Sequence, residues 1–385
     1  MCGISAWFDL QNRKRNEGTE GYQQQRAKLT AQLDDSVESM RHRGPNAKGI
    51  WVSPDSDTGL GHVRLSTRDL SSAGHQPLHS PDETDDIHVV VNGELYYDPS
   101  LRVNLEKEYD FQSTSDSEMA IALYRRYGAE FVQHLRGEFS LVLYDGKKQA
   151  LVAARDRFGV KPLHWGVFDG KLLIATQCKG IAKLLPNDQP MQWSAQCLAQ
   201  GGGHYGYKTL FNGFNKFPQG NILIVHRGQT GDLQFTPYFE SKFSANQNGD
   251  DDRPADELIE QLRKHLFEAV RIRLESSDVE VGILLSGGVD SSAVAGMSAE
   301  VSRRRRAMNS AAPALPTCFT IAFPDDDDLD ESAVATRTAE HLGLPIDKVV
   351  VTEQMLADEF DEACWRGEAL MWDLQYVSFK IPPRY

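Results

Sequence analysis

Between residues 279 and 292 an apolar, β-branched segment, Val279-Glu280-Val281-Gly282-Ile283-Leu284-Leu285, runs straight into Ser286-Gly287-Gly288-Val289-Asp290-Ser291-Ser292, and an Ala- and Val-rich helical stretch follows. Strand, glycine loop and helix in that order form a phosphate cradle. Adjacent glycines let backbone N–H groups approach a polyphosphate, and the helix N-terminus adds a favourable dipole. The loop is not of the Walker type, because the Gly-Lys-Ser/Thr ending is absent. The flanking pattern extends the element. Leu258, Leu262, Leu266 and Val270 form an i+4 stripe and predict an amphipathic helix. Further strands are expected over 318–323 and 348–351.

A second constraint lies at the other end. Met1-Cys2-Gly3-Ile4 places a small side chain behind the initiator methionine, whose removal would leave a thiol and a free α-amine on adjacent carbons. An α-amine titrates near ~8, so part of it is unprotonated at neutral pH and can take the thiol proton, directly or through a water. Any protein can carry Cys at position 2, so these letters need support from the rest of the chain.

Composition removes several classes. A chain of 385 residues, 40% hydrophobic and 9% aromatic, can bury the cores of two soluble domains. A formal charge of −14 argues against nucleic-acid binding, since phosphate contacts need a positive surface and the one dense basic run is Arg303-Arg304-Arg305-Arg306. Five scattered cysteines, with no C-x-x-C pair, indicate neither a disulfide framework nor a zinc site and fit a reducing compartment. No apolar run reaches the ~18 residues of a membrane span, and no secretory pattern opens the chain, so a cytoplasmic protein is expected.

Read in order, the first half gives a short strand over 4–10 and a helix over 26–40 whose Leu29, Leu33, Val37 and Met40 share a face. Arg41-His42-Arg43-Gly44-Pro45-Asn46 is a basic turn that is either surface or functional. Arg64, in the alternating Gly61-His62-Val63-Arg64-Leu65-Ser66, is either a fork for a substrate carboxylate or a structural ion-pair partner. Asn92-Gly93, after the strand 87–91, is either a hairpin turn or a pair of oxyanion donors. Asp116 stands in or near a helix cap. Strands over 137–145 and 150–156 complete an α+β domain ending near residue 200, and 201–253 reads as a connector.

Taken together, Cys2-Gly3-Ile4, Arg41-His42-Arg43-Gly44-Pro45, Gly61-His62 with Arg64-Leu65-Ser66, Gly74-His75-Gln76-Pro77, Asn92-Gly93-Glu94, Ser115-Asp116, Tyr144-Asp145 and Arg155-Asp156-Arg157-Phe158-Gly159 with Lys161-Pro162-Leu163 resemble the glutaminase domain of class II glutamine amidotransferases, in its asparagine synthetase branch. The resemblance implies an N-terminal-nucleophile hydrolase fold, an αββα sandwich, over residues 2–200. It makes Cys2 the nucleophile and Asn92 and Gly93 the oxyanion donors. It has Arg64 hold the glutamine α-carboxylate, and Glu94 and Asp116 its α-ammonium. Asn46 departs from the acidic residue usual after Arg-Gly-Pro, and Tyr97 from a usual Asn; both are outside the catalytic set.

Ser286-Gly287-Gly288-Val289-Asp290-Ser291 likewise resembles the pyrophosphate loop of ATP-pyrophosphatases, which activate a carboxylate as an adenylate. By resemblance, residues 254–385 are the first part of a doubly wound α/β synthetase domain. Leu285, Ser286, Gly287, Gly288, Asp290, Ser291 and Ile321 line the ATP site there, and Asp290 organises Mg²⁺. The Gly-Glu-Gly-x-Asp-Glu motif and the long helical region that continue the family pattern do not occur, so the second half is expected to be a fragment or a remnant with one sheet edge uncovered. The implied reaction is glutamine-dependent amidation of aspartate with Mg-ATP. Its substrates are glutamine, aspartate and ATP, with a homodimer among the expected assemblies and neither nucleic acid nor membrane as partner. The alternatives are a glutaminase inert toward ATP and a non-catalytic relic that binds a full-length partner.

Overall fold

The computed structural model describes residues 1–11, 19–82, 84–185, 191–199, 206–241, 253–309, 313–324 and 330–368. The chain divides into two compact units, Met1–Lys242 and Phe243–Tyr385. The first unit comprises β1 (Gly3–Asp9), α1 (Glu20–Glu38), β2 (Ala47–Val52), β3 (Thr58–Arg64), β4 (Leu78–His79), β5 (Ile87–Leu95), α2 (Pro99–Leu105), α3 (Met119–Tyr127), β6 (Gly137–Asp145), β7 (Ala150–Arg155), β8 (His164–Phe168), β9 (Lys171–Ala175), α4 (Cys178–Leu184), α5 (Ala195–Ala199), β10 (Asn215–Lys216), β11 (Asn221–His226) and β12 (Phe235–Pro237). These strands make two antiparallel six-stranded sheets, ordered β10-β8-β9-β1-β3-β2 and β12-β11-β7-β6-β5-β4.

Strand alternation explains the layers, because successive side chains leave opposite faces of a sheet. On β1, Ile4, Ala6 and Phe8 enter the core between the sheets with Leu60, Val90 and Val142, whereas Trp7 turns outward to meet Leu29, Leu33 and Val37 of α1. On β5, Val90 faces the inter-sheet core while Val89 and Val91 face the α3 side with Ile121 and Leu123. Each Val, Leu, Ile or Phe among them removed from water contributes about 1.5–3 kcal/mol. Helix, sheet, sheet, helix is the resulting stack, the αββα architecture expected for this half. The helix read at 26–40 begins earlier, at Glu20, where the Thr19 hydroxyl caps the Tyr22 N–H at 3.3 Å.

Two local expectations give way to tertiary structure. Asn92-Gly93 does not turn: both lie within β5, paired with Ser140 and Phe139 of β6, because β6 supplies a full-length partner for the strand. The segment 201–253 is not wholly a connector either. Its β10 adds to the first sheet and β11 and β12 to the second, through pairings such as Leu223↔Ala153, which bury Leu223 and Val225 between the sheets.

The second unit comprises α6 (Ala255–Glu275), β13 (Ile283–Leu284), α7 (Val289–Met308), β14 (Cys318–Ala322), α8 (Ser332–Leu342), β15 (Ile346–Val350) and α9 (Glu353–Gly367). Its strands form a parallel sheet in the order β13-β14-β15. The expected buried strand 279–285 contracts to Ile283–Leu284. Among the described residues β13 pairs with β14 alone, so Ile283 and Leu285 are buried while Leu284 is 68% exposed. The stripe on α6 is present, yet Ile259, Leu262 and Leu266 are exposed and only Leu274 is buried.

Candidate active site

Cys2 stands at the entrance to β1, beside the end of β3, since Gly3 pairs with Val63. Its Sγ accepts the Leu65 N–H at 3.4 Å and lies 3.7 Å from the Leu65 carbonyl oxygen. The basic turn serves this position: Arg43 donates its Nε–H to the Cys2 carbonyl at 2.9 Å. Gly44 is required there, because a Cβ would overlap the Val63–Arg64 peptide. Asn46 accepts the Ser66 N–H through Oδ1 at 2.9 Å, a bond that the usual carboxylate would also make, so that departure preserves the local geometry.

Asn92 is fully buried on β5. Its Nδ2 lies 3.5 Å from Ser140 Oγ, which in turn donates to the Pro162 carbonyl at 3.2 Å, while its Oδ1 has no partner. Gly93 has φ +147°, and a Cβ there would overlap the Glu138 carbonyl oxygen. Glu94 follows, accepting the Thr67 hydroxyl at 2.5 Å. Asp116 is not the cap of its turn; Ser115 is, and the Asp116 carboxylate instead accepts the Leu95 N–H at 2.5 Å.

Arg64 is buried, and its hydrogen bonds all go to carbonyls of the loop that follows β3. Nη1 donates to Ser71 at 2.9 Å, and Nη2 donates to Arg68 at 2.9 Å and to Asp69. Gly74 leaves room for the guanidinium, since a Cβ would strike Nη2. In this arrangement the Arg64 guanidinium is turned toward the loop carbonyls.

Burial and charge set the titrations. Burial raises the Cys2 thiol above its ordinary range, with the Leu65 bond and the terminal amine pulling the other way. Burial, reinforced by Arg43 and Lys161, lowers the Met1 amine to about 6. Burial, then the charge of Asp116, lifts Glu94 to about 7, and burial raises Asp116 as well. His62, whose Nε2 lies 3.0 Å from the Val91 carbonyl, bridges the two sheets as a neutral imidazole, burial holding it at about 3.

The structure therefore gathers Cys2, Glu94 and Asp116 with Arg43 and Lys161 at one end of the sandwich. The sequence reading passed over the supporting roles of Arg43, His62, Thr67, Arg68, Ser140 and Lys161. Arg43, His62 and Lys161 lay inside the quoted motifs, whereas Thr67, Arg68 and Ser140 carry no local signal.

In the second unit, the loop between β13 and α7 is open. Ser286 N–H and Ser291 Oγ are 3.3 Å apart, the two hydroxyls 3.1 Å, and Ser291 Oγ donates to the Gly288 carbonyl at 3.2 Å. Gly287 holds φ +87° against Val334 and Ala335 of α8. Leu285 continues the register of β13 by donating its N–H to Phe319 at 2.8 Å, and Ile321 lies near the end of β14, so both stand toward the carboxyl ends of the parallel strands, where doubly wound sheets take nucleotides. Serine hydroxyls, glycine N–H groups and a helix start suit phosphate oxygens. Asp290 is exposed beside them and offers one carboxylate to a phosphate-borne Mg²⁺, an ion that commonly takes one or two carboxylates with substrate phosphates. Among the described residues no cluster of three metal-binding side chains occurs.

Residues 1–239 match the family model described as a glutamine amidotransferase domain, and residues 261–380 the one described as asparagine synthase. The amidase chry2 of Gibberella zeae is 39% identical over 377 residues, 97% of this chain and 54% of that protein. The amidase chyE of Penicillium rubens is 41% identical over 378 residues, again 97% and 54%. The glutamine-hydrolysing asparagine synthetase B of Escherichia coli is 30% identical over 388 residues, 99% of this chain and 59% of that one. The chain spans about half the length of the curated relatives it matches.

Proposed function

The chain belongs to the glutamine amidotransferases of the asparagine synthetase-like family, and on that premise we propose that its first unit hydrolyses glutamine at Cys2 to supply ammonia. The observation that carries the reading is the pairing of a buried thiol with a low-pKa amine beside two carboxyls. With its pKa raised, the thiol is protonated at pH 7 and needs a base; an amine held near 6 by the same surroundings is mostly unprotonated and provides one. Removal of Met1 passes that role to the amine of Cys2. The sulfur then adds to the γ-carbonyl carbon, the amine's proton goes to the leaving nitrogen, and ammonia departs from a γ-glutamyl thioester that water cleaves to glutamate. The Gly93 N–H and the Asn92 amide receive the oxyanion. A half-turn of that amide puts Nδ2 at the position where Oδ1 is unpaired, with Ser140 turning its one proton from the Pro162 carbonyl to Oδ1. Glu94 and Asp116 take the α-ammonium.

The second unit, in this reading, binds Mg-ATP at Ser286–Ser291 and activates a carboxylate as an adenylate, with aspartate as acceptor and asparagine, AMP and pyrophosphate as products. Mg²⁺ would supply charge neutralisation on the phosphates, with Asp290 as its protein ligand. The names of the two fungal relatives favour a second reading, in which amide hydrolysis at Cys2 is the whole reaction. A cytoplasmic site of action goes with this reading, the five cysteines being in no disulfide among the described residues.

One incubation with glutamine, aspartate and Mg-ATP tests both. Glutamate, AMP and asparagine together support the coupled reaction, and glutamate alone supports the second reading. Cys2→Ala is expected to lose glutamate formation, and retention of turnover by that variant would refute the assignment of the nucleophile. Asp290→Ala should lose AMP formation while glutaminase persists.

A further inference from the structure

The second sheet ends at β4, an edge strand of two residues whose His79 stands directly across from His88 of β5. The next pair along carries the ladder bond, the Ser80 N–H donating to the Ile87 carbonyl at 2.9 Å. His79 and His88 are therefore a non-hydrogen-bonded pair, the kind whose side chains stand closer. Their Nδ1 atoms are 2.6 Å apart, and the rings meet edge to face with centroids 4.8 Å apart at 74°.

The far side of His88 fixes its tautomer. Its Nε2 lies 2.9 Å from Asp86 Oδ1, and because a carboxylate accepts, Nε2 carries the proton and Nδ1 a lone pair. Gly146 makes room for that carboxylate, since a Cβ there would overlap Asp86 Oδ2. The ring is held in place by stacking on Trp51 of β2, with centroids 3.9 Å apart at 29°. A carboxylate behind an imidazole whose other nitrogen points at a second donor is the usual support of a metal-ligating histidine. At 2.6 Å the two Nδ1 atoms share one proton, carried by His79. His79 is exposed, so water can move that proton to its Nε2, and two Nδ1 lone pairs then converge. Imidazole nitrogens at 2.0–2.1 Å from one ion stand about 2.9–3.4 Å apart at right or tetrahedral angles, so an opening of less than about 1 Å seats it.

We propose that His79 and His88 bind a divalent transition-metal ion, of which Zn²⁺ is the best suited to imidazole with open water positions, and that the ion staples the edge strand to β5. Asp86 is a positioning residue that holds His88 without touching the ion. The staple lies four residues before Asn92 on β5 and uses none of the groups assigned to glutamine, so it stands independently of the glutaminase reading.

The test titrates Zn²⁺ into the full chain carrying Cys2→Ala, which removes the terminal aminothiol, itself a zinc chelator. By calorimetry, adding His79→Ala or His88→Ala should each leave one ion fewer bound than in that parent. Asp86→Asn should weaken binding of that ion about 10- to 100-fold, and His226→Ala, at another exposed histidine, should change nothing. Zn²⁺ should also raise the melting temperature of the first unit in the parent but not with His79→Ala, a substitution at an exposed edge position that leaves the core intact. The same zinc stoichiometry and affinity with His79→Ala, or no zinc bound by the parent up to millimolar concentration, would overturn the proposal and leave the pair as packing against Trp51.

Discussion

At the scale of single residues, the site is governed by what burial does to charge. Glu94 and Asp116 are two carboxyls in one desolvated corner, and Glu94 is pushed up to about 7. Its folded pKa lies above the ordinary value, so the proton stabilises the folded chain at low pH, and that contribution is lost as pH rises through 7. Substrate binding has the opposite requirement, because an ammonium needs the ionised carboxylate. We therefore expect kcat/KM for glutamine to climb between pH 6 and 8 as Glu94 ionises. Glu94→Gln should erase that limb; a pH–rate profile that keeps the limb near 7 in that variant would show that Glu94 does not set the binding step.

At the scale of elements, β5 shows why a local rule failed. Asn92-Gly93 fits a hairpin turn by composition, but β6 pairs with β5 from Ile87 to Leu95 and keeps the dipeptide extended. Gly93 is needed there for a different reason, its φ of +147° and the Glu138 carbonyl lying where a Cβ would go. Gly93→Ala should thus cost about 1–3 kcal/mol in backbone strain, with overpacking in addition. It should lower the melting temperature of the first unit and remove turnover; a variant with unchanged melting and activity would mean that β5 can shift freely. Much of this unit was legible. Period-two strands and the Leu29, Leu33, Val37 stripe follow from local side-chain spacing, and the ordered motifs pointed to Cys2 and Glu94. The contributions of β10–β12, the carbonyl ties of Arg64 and the His79–His88 contact were not legible, because each depends on segments brought together only by folding. Arg64 is the instructive case: the same strand-end arginine reads as a substrate fork or a structural group, and only its three carbonyl partners show where its donors point.

At the scale of the whole molecule, the two units differ in how much core supports them. The first is built on three extensive clusters, between the sheets and under each helical layer. Among its described residues the second has two small ones, centred on Ile283, Leu285, Ala295 and Ala339 and on Val351, Leu356 and Ala363. Its longest helix also leaves Ile259, Leu262 and Leu266 exposed, so those side chains contribute little burial. Multidomain chains commonly unfold in more than one step, and a ligand stabilises the state that binds it. Scanning calorimetry should accordingly resolve a lower transition for the second unit and a higher one for the first. Mg-ATP should raise the lower transition and glutamine the upper. Leu262→Glu and Leu266→Glu should leave the lower transition within a degree or two, since neither removes a buried contact, whereas Leu285→Ala should cost about 2–5 kcal/mol by opening a cavity beside the phosphate loop. If the α6 substitutions destabilise as much as Leu285→Ala, the helix face is covered in solution and the small-core account of this unit fails.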